Sequence, residues 1–319
     1  MTSLMLAGVW VRLGNRPVLR GVELRVERPQ YLVVLGPSGS GKTTLLRTVA
    51  GFVEPEKGRI LVSGRDVTGL PPWERGVAMV QQMPGLLPHL TVLDNVALPA
   101  VHRRGLSWGE ARSLAARLLE DVGLGGLGDR RPGELSGGQL QRAAIAAALA
   151  AGAEVLLLDE PLSHLDRLIA ERLRSLLRRL RDKHGRLVVH VTHDIDEALA
   201  LGDEIAVLHA GRIVAHGTAA EVYRCPGSRE AAELLGHAVV DGKLLGLPQG
   251  LYSVAPDAVR LRRGTGDWLV TRVERERGRA RVTLRRGDTM LYAYTPPWEA
   301  PRPGEKAEPL LTGEPCPLA

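Results

Sequence analysis

Apolar positions in the first two thirds of the chain gather into short, nearly unbroken runs. Tyr31-Leu32-Val33-Val34-Leu35, Val155-Leu156-Leu157-Leu158 and Val188-Val189-His190-Val191 leave no polar face, which predicts parallel strands buried on both sides. Helical patterns stand between them. Trp108 to Asp121 reads as an amphipathic helix, and Leu140-Gln141-Arg142-Ala143-Ala144-Ile145 continues another. Strands alternating with helices predict an α/β fold over a parallel sheet. Beyond Val239 the rhythm changes. Leu269-Val270-Thr271-Arg272-Val273 and Thr289-Met290-Leu291-Tyr292-Ala293-Tyr294 are short β-like runs separated by Gly, Pro and Asp, so a small all-β barrel is expected there. The division is placed at residues 1–235 and 236–319, with the Pro- and Gly-rich end of the second part loosely ordered. Met1 to Val11 has an apolar run but no basic leader or cleavage pattern, and is read as the first strand.

The run at Tyr31–Leu35 leads directly into Gly36-Pro37-Ser38-Gly39-Ser40-Gly41-Lys42-Thr43-Thr44. Gly36 and Gly41 occupy the two glycine positions of G-x-x-x-x-G-K-[ST], where bare backbone can wrap around phosphate and point its N–H groups inward. Lys42 can then reach terminal phosphate oxygens, the Thr43 hydroxyl can ligate Mg²⁺, and the following helix offers its positive end to the anion. The run at Val155–Leu158 ends in two carboxylates, Asp159-Glu160. Asp159 is placed to hold Mg²⁺, and Glu160, one residue on, to polarise an attacking water.

A third motif decides between families. Glu134-Leu135-Ser136-Gly137-Gly138-Gln139 stands at the head of a predicted helix. Ser136 is a good N-cap, yet a nucleotide loop needs no second glycine pair within its own chain. On these three motifs the chain resembles the ATP-hydrolysing subunits of ABC transporters over nearly its whole length. The resemblance implies a P-loop NTPase domain, with a helical subdomain at about 85–150 that carries the signature, followed by an OB-like barrel of the TOBE type. It further implies that Ser136, Gly137, Gly138 and Gln139 contact the γ-phosphate held by a second subunit. Gln82 would touch Mg²⁺ and the attacking water, His193 the γ-phosphate near Glu160, and Asp166 the crossing between subunits.

Two positions depart from the family. An aromatic ring that usually stacks on adenine is replaced by Leu13, ahead of Gly14. Trp10 is read as core or edge packing, because strand parity sets it on the opposite face from Leu13 unless a bulge intervenes. His164 stands where a smaller residue is usual. The stretch Met83-Pro84-Gly85-Leu86-Leu87-Pro88-His89-Leu90 is apolar for a loop, and in the family it receives a helix of the membrane subunit.

Charge adds one alternative. The formal net charge is +6, and arginines crowd the last 60 residues, which raises nucleic acid as a partner. Arg279-Ala280-Arg281-Val282-Thr283-Leu284-Arg285 alternates with a period of two, however, as the solvated face of an antiparallel strand does. No nucleic acid is expected. Anion sensing or contact with lipid headgroups remain open for these arginines. The longest apolar stretch, Ala143 to Leu158, is interrupted by Gly152 and Glu154 and is too short to cross a bilayer. Cys225 and Cys316 lie far apart in sequence without metal-ligand spacing, which is read as the mark of a reducing compartment.

The expected protein is thus an ATPase subunit of an ABC importer on the cytoplasmic face of the membrane. It would use ATP and Mg²⁺, pair with a second ATPase subunit as a homodimer, drive separate permease subunits and serve an extracytoplasmic solute-binding protein indirectly. A DNA-repair or chromosome ATPase and an exporter subunit are the alternatives. The long heptad insertion of the former has no room between Lys42 and Asp159.

Overall fold

The computed structural model describes residues 3–27, 30–163, 167–184, 186–276 and 278–318. Its chain divides into two compact units, Met1–Ile213 and Val214–Ala319.

The first unit opens with β1 (Leu4–Leu13), β2 (Arg16–Val26), β3 (Tyr31–Leu35), α1 (Lys42–Ala50), β4 (Lys57–Val62), β5 (Arg65–Asp66) and β6 (Val77–Val80). Three helices follow: α2 (Val92–Arg104), α3 (Trp108–Asp121) and α4 (Gly137–Ala150). The remainder is β7 (Val155–Asp159), α5 (Arg167–His184), β8 (Leu187–Thr192), α6 (Ile195–Leu201), β9 (Glu204–His209) and β10 (Arg212–Thr218), the strand in which the chain leaves the unit.

The unbroken apolar runs are the centre of a six-stranded sheet ordered β10-β9-β3-β8-β7-β6, with β9, β3, β8, β7 and β6 parallel. Every residue of β3, β7 and β8 is buried, as expected of strands covered on both faces. A four-stranded antiparallel sheet, β2-β1-β4-β5, lies across from it. Leu45, Leu46 and Val49 of α1 join Leu6, Val11, Leu24 and Ile60 of this sheet and Leu32, Leu157 and Val189 of the other in one core. The helix is thereby wedged between two sheets, and its N-terminus is fixed at the sheet's carboxyl edge.

In β1 the alternation slips. Register shifts flank Val9 and follow Val11, so Trp10 and Leu13 are both exposed despite their odd spacing. Trp10 lies over Gly21 of β2, where a Cβ would come within 3.1 Å of the indole nitrogen. Edge packing is therefore its role.

Helices α2, α3 and α4 pack on one another. Each begins at a side-chain cap: Thr91, Ser107 with Glu110, and Ser136 with Gln139.

The second unit holds α7 (Ala219–Arg224), α8 (Arg229–Leu234), β11 (Ala238–Asp241), β12 (Leu251–Val254), β13 (Val259–Glu276), β14 (Arg279–Arg286), β15 (Thr289–Thr295), β16 (Lys306–Leu311) and β17 (Cys316–Pro317). Its strands form a three-stranded sheet, β11-β12-β17, and a four-stranded one, β15-β14-β13-β16, about a core that includes Val240, Trp268, Val282, Leu284 and Leu291. The alternating arginine run is β14, with Ala280, Val282 and Leu284 inward. Two of its arginines lie over aromatic rings, Arg279 on Tyr294 and Arg281 on Tyr292. Arg277 lies outside the described residues.

Two expectations are corrected here. The Pro- and Gly-rich end is not loose: β16 pairs with β13, and β17 with β12. Cys225 and Cys316 are not apart but disulfide-bonded, with Cα atoms 5.2 Å from each other, because β17 returns beside the end of α7, so they are no mark of a reducing compartment. Sequence distance hid a contact made by the last strand.

Candidate active site

Residues 36–41 connect β3 to α1 as a loop whose shape requires glycine. Gly39 and Gly41 have φ of 78° and 109°, in the left-handed region. A Cβ on Gly36 would run into the backbone oxygen of Leu208 and the Ser40 hydroxyl. The Ser40 hydroxyl is buried without a hydrogen-bond partner, and the α1 N-terminus opens into the same loop. An orphaned donor, free backbone N–H groups and a buried lysine together fit a phosphate chain.

Lys42 is only 5% exposed. Its Nζ donates to the backbone oxygens of Gly36 at 2.8 Å and Pro37 at 3.0 Å, and lies 3.9 Å from Glu160 Oε1. Burial pulls its pKa below the usual lysine value, while Glu160 and Asp159 oppose the shift. The Thr43 hydroxyl donates to Asp159 Oδ1 at 2.9 Å. Burial raises the Asp159 pKa first of all; the Thr43 bond works against it and Glu160 reinforces it. A hydroxyl beside a buried carboxylate is a donor set suited to a hard divalent cation.

Glu160 directly follows β7 with φ of 44°, a strained conformation for a residue with a side chain. Its N–H donates to Val191 O at 3.1 Å, which anchors it to β8. From there Glu160 Oε1 lies 3.4 Å from His193 Nδ1. Gln82 Nε2 donates to the Ser163 hydroxyl at 3.1 Å, and Ser163 in turn donates to Glu160 O at 2.7 Å. Its neighbour Gln81 lines a different cavity, described below. Lys42, Thr43, Asp159, Glu160, His193 and Gln82 thus converge from four elements, at the carboxyl ends of parallel strands.

A cavity of about 780 Å³ opens over the loop. Pro37 to Thr44 and Glu160 line it, with Leu13, Arg16, Pro17, Val18, Arg20 and His209 to Gly211 on the far side. Leu13 therefore does face this cavity, whereas Trp10 does not. None of Ser136, Gly137, Gly138 and Gln139 lines it. They form a capping box on α4: Gln139 N–H donates to Ser136 Oγ and Ser136 N–H donates to Gln139 Oε1. Asp166, with His164 beside it, lies outside the described residues.

Sequence reasoning missed the wall at His209 to Gly211, where a Cβ on Gly211 would strike Val18 O. Its signal was the Ala-Gly turn that follows an apolar run. It also missed a buried polar group around His190, three residues before His193. His190, wholly buried, meets the Tyr31 hydroxyl at 3.0 Å through Nδ1, and its Nε2 stands 3.6 Å from Glu197. Burial, with Arg174 adding to it, lowers the His190 pKa to about 3, so the ring is neutral. Thr192, one residue before His193, donates to Glu197 Oε2 at 2.7 Å. Burial raises the pKa of Glu197.

A phosphate loop, a paired carboxylate strand end and a capped Ser-Gly-Gly-Gln helix on one α/β scaffold define a nucleotide-hydrolysing cassette. The ABC transporter family model matches residues 19–163. The chain is 47% identical over 238 residues to an Fe(3+) ions import ATP-binding protein, FbpC, of Brucella abortus, covering 75% of this chain and 67% of that protein. It is 42% identical over 291 residues to the FbpC of Agrobacterium fabrum, covering 91% and 80%. It is 40% identical over 273 residues to the molybdate/tungstate import ATP-binding protein WtpC of Thermococcus kodakarensis, covering 86% and 78%. Among solved structures, the dimeric ATP-binding cassette MJ0796 bound to ADP and Pi superposes with a TM-score of 0.62 at 32% identity, covering 68% of this chain and 98% of that one. The chain belongs to the ABC transporter family, among its importer-type ATP-binding subunits, and is an ATPase.

Proposed function

We propose that two copies of this chain close around two ATP molecules and drive permease subunits that take up an inorganic ion. The observation that carries the reading is the separation within one chain: the phosphate loop gathers Lys42, Glu160 and His193, while Ser136 to Gln139 stay outside its cavity. A signature that opens its own helix with backbone N–H groups needs phosphates from elsewhere, and a second copy supplies them. Mg²⁺ would be held by Thr43, Asp159 and Gln82, where it would neutralise charge on the β- and γ-phosphates.

In that arrangement the loop backbone from Gly36 to Gly41 and the Lys42 ammonium hold the phosphates of ATP. Glu160 accepts a proton from the attacking water. His193, beside it, donates a hydrogen bond toward the γ-phosphate, and Gln82, tied to Ser163, orients the water. Ser136, Gly137, Gly138 and Gln139 of the partner close the other side, with Asp166 at the crossing.

The membrane side is read from a second cavity of about 450 Å³, lined by Phe52, Pro72, Trp73, Met79, Gln81, Pro84 and Leu86 among others. Met83 beside it is 83% exposed. An apolar groove of this kind suits a helix of a permease subunit at the cytoplasmic face. No helix among the described residues is long and apolar enough to cross a membrane itself. Relatives named for ferric iron and for molybdate or tungstate favour an inorganic ion, delivered by an extracytoplasmic binding protein. The tail then serves regulation.

Glu160→Gln should lower turnover on the order of 10²-fold or more while MgATP affinity is kept, because the base is lost and the phosphate cradle is not. Steady-state hydrolysis with parallel equilibrium binding measures both. Unchanged turnover would remove Glu160 as the base.

A further inference from the structure

Arg75 is a buried cation with no ion pair among the described residues, although the charge of Glu54 acts on it. It follows the 3-10 turn Pro72–Glu74 and is 3% exposed. Nε donates to Leu70 O at 2.7 Å, and Nη2 to Thr68 O at 2.7 Å. Nη1 donates to Thr48 O at 2.8 Å and Val49 O at 3.3 Å. All four acceptors are backbone carbonyls, and no carboxylate of the described residues forms an ion pair with it.

An unpaired buried charge is costly. Here the position explains it, because Thr48 and Val49 are in the last turn of α1, whose negative end favours a cation. Gly51 caps that helix with φ of 88°, and a Cβ there would lie 2.5 Å from Arg75 Nε. The glycine lets the guanidinium sit flat on the helix end.

Arg75 stands where three structures meet. Ala50 and Phe52, which flank Gly51, and Pro72 and Trp73, just before Arg75 in the chain, are wall residues of the apolar groove. Helix α1 runs from Arg75 to Lys42 and Thr43, a rod of about 13 Å at 1.5 Å per residue. Strand β6 starts two residues after Arg75, pairs its Val80 with Leu158 next to Asp159, and ends two residues before Gln82. A displacement of the Pro72–Trp73 wall must move the guanidinium, and the guanidinium is bonded to the rod that carries the phosphate lysine.

We propose that Arg75 is a positioning residue that transmits occupancy of the groove to Lys42, Thr43 and Gln82. The inference rests on the reading of the groove as the permease dock, but it is testable without a permease. Coupling is reciprocal, so whatever the groove does to the nucleotide site the nucleotide does to the groove.

The full chain with Glu160→Gln is labelled with 5-fluorotryptophan at its five tryptophans, and the Trp73 resonance is assigned by Trp73→Phe. MgATP should shift the Trp73 ¹⁹F signal. Arg75→Lys should lose at least about half of that shift while MgATP affinity stays within about threefold, a change small beside typical couplings. If Arg75→Lys fails to fold, Gly51→Ala takes its place, since it keeps the charge but pushes the guanidinium off the helix end. A full shift in the folded variant overturns the proposal, as does a parent chain whose Trp73 ignores MgATP. Failure of the docking reading would show separately, as permease binding that survives a charge at Leu86.

Discussion

Glu160 carries a left-handed backbone in the site, and its surroundings explain why it persists. Its φ of 44° is held by one backbone bond to Val191 and by Ser163 on its carbonyl, and it directs the carboxylate toward Lys42 and His193. Sequence alone supplied the acid but not this backbone twist, which depends on β8 being alongside. The phosphate loop was legible residue by residue because its glycines answer a local steric demand. His190 was not, since a histidine inside an apolar run reads as part of a strand. Its burial makes a prediction. With a folded-state pKa of about 3 against about 6.5 unfolded, only the unfolded chain takes up this proton between those values. Stability from the neutral ring is complete above about pH 6.5 and falls below it, by at most about 1.4 kcal/mol per pH unit. Glu197, whose pKa is raised, acts in the opposite sense because its folded form keeps a proton longer. Urea unfolding of His190→Gln between pH 7.5 and 5 should therefore show a shallower loss than the parent chain; parallel curves would mean that His190 does not titrate on unfolding.

Among elements, α1 and α4 show the same device used twice, a helix N-terminus aimed at anion. Only the first has a phosphate loop around it; the second is closed by its own capping box, so the bland reading of Ser136 as an N-cap describes the uncomplexed chain. The proposed contact with a partner's phosphate is compatible with this cap, because the backbone N–H groups of Gly137 and Gly138 would be satisfied in a closed pair. The antiparallel strand of alternating arginines was legible from its period. The last strands were not, since β16 and β17 draw their order from partners in β13 and β12, about 40 and 60 residues away, and Cys316 reaches Cys225 only through them. The loop after Gln82 gives the prediction at this scale. Leu86 lines the groove, and Leu86→Glu should abolish or strongly reduce co-purification of permease subunits while leaving hydrolysis by the isolated chain within about twofold, since exposed positions away from a site rarely affect it. Full permease recovery with this variant would show that the helix docks elsewhere.

For the molecule as a whole, the division into an α/β ATPase unit and an all-β unit was foreseeable from the change of rhythm along the chain. The boundary was not. The compact units divide at residues 213 and 214, because α7 is tied to the second unit by the disulfide and by the Tyr223 hydroxyl donating to Asp257 at 3.1 Å, and α8 packs on β11. Helical pattern had assigned them to the ATPase. The DNA-repair alternative finds no support in the first unit, where the span from Lys42 to Asp159 is filled by α1, α2, α3 and α4, none longer than 14 residues.

The central claim is that the phosphate loop of one copy meets the signature of another. With Cys225 and Cys316 paired, introduced cysteines can be labelled selectively. One batch of the Glu160→Gln chain takes a donor at Arg12→Cys, near the cavity, and another takes an acceptor at Arg131→Cys, near the signature; energy transfer then arises only between copies. MgATP should raise the transfer, MgADP should not, and Ser136→Arg or Lys42→Ala should abolish the rise. Transfer that is independent of ATP, or that survives both substitutions, would contradict the account.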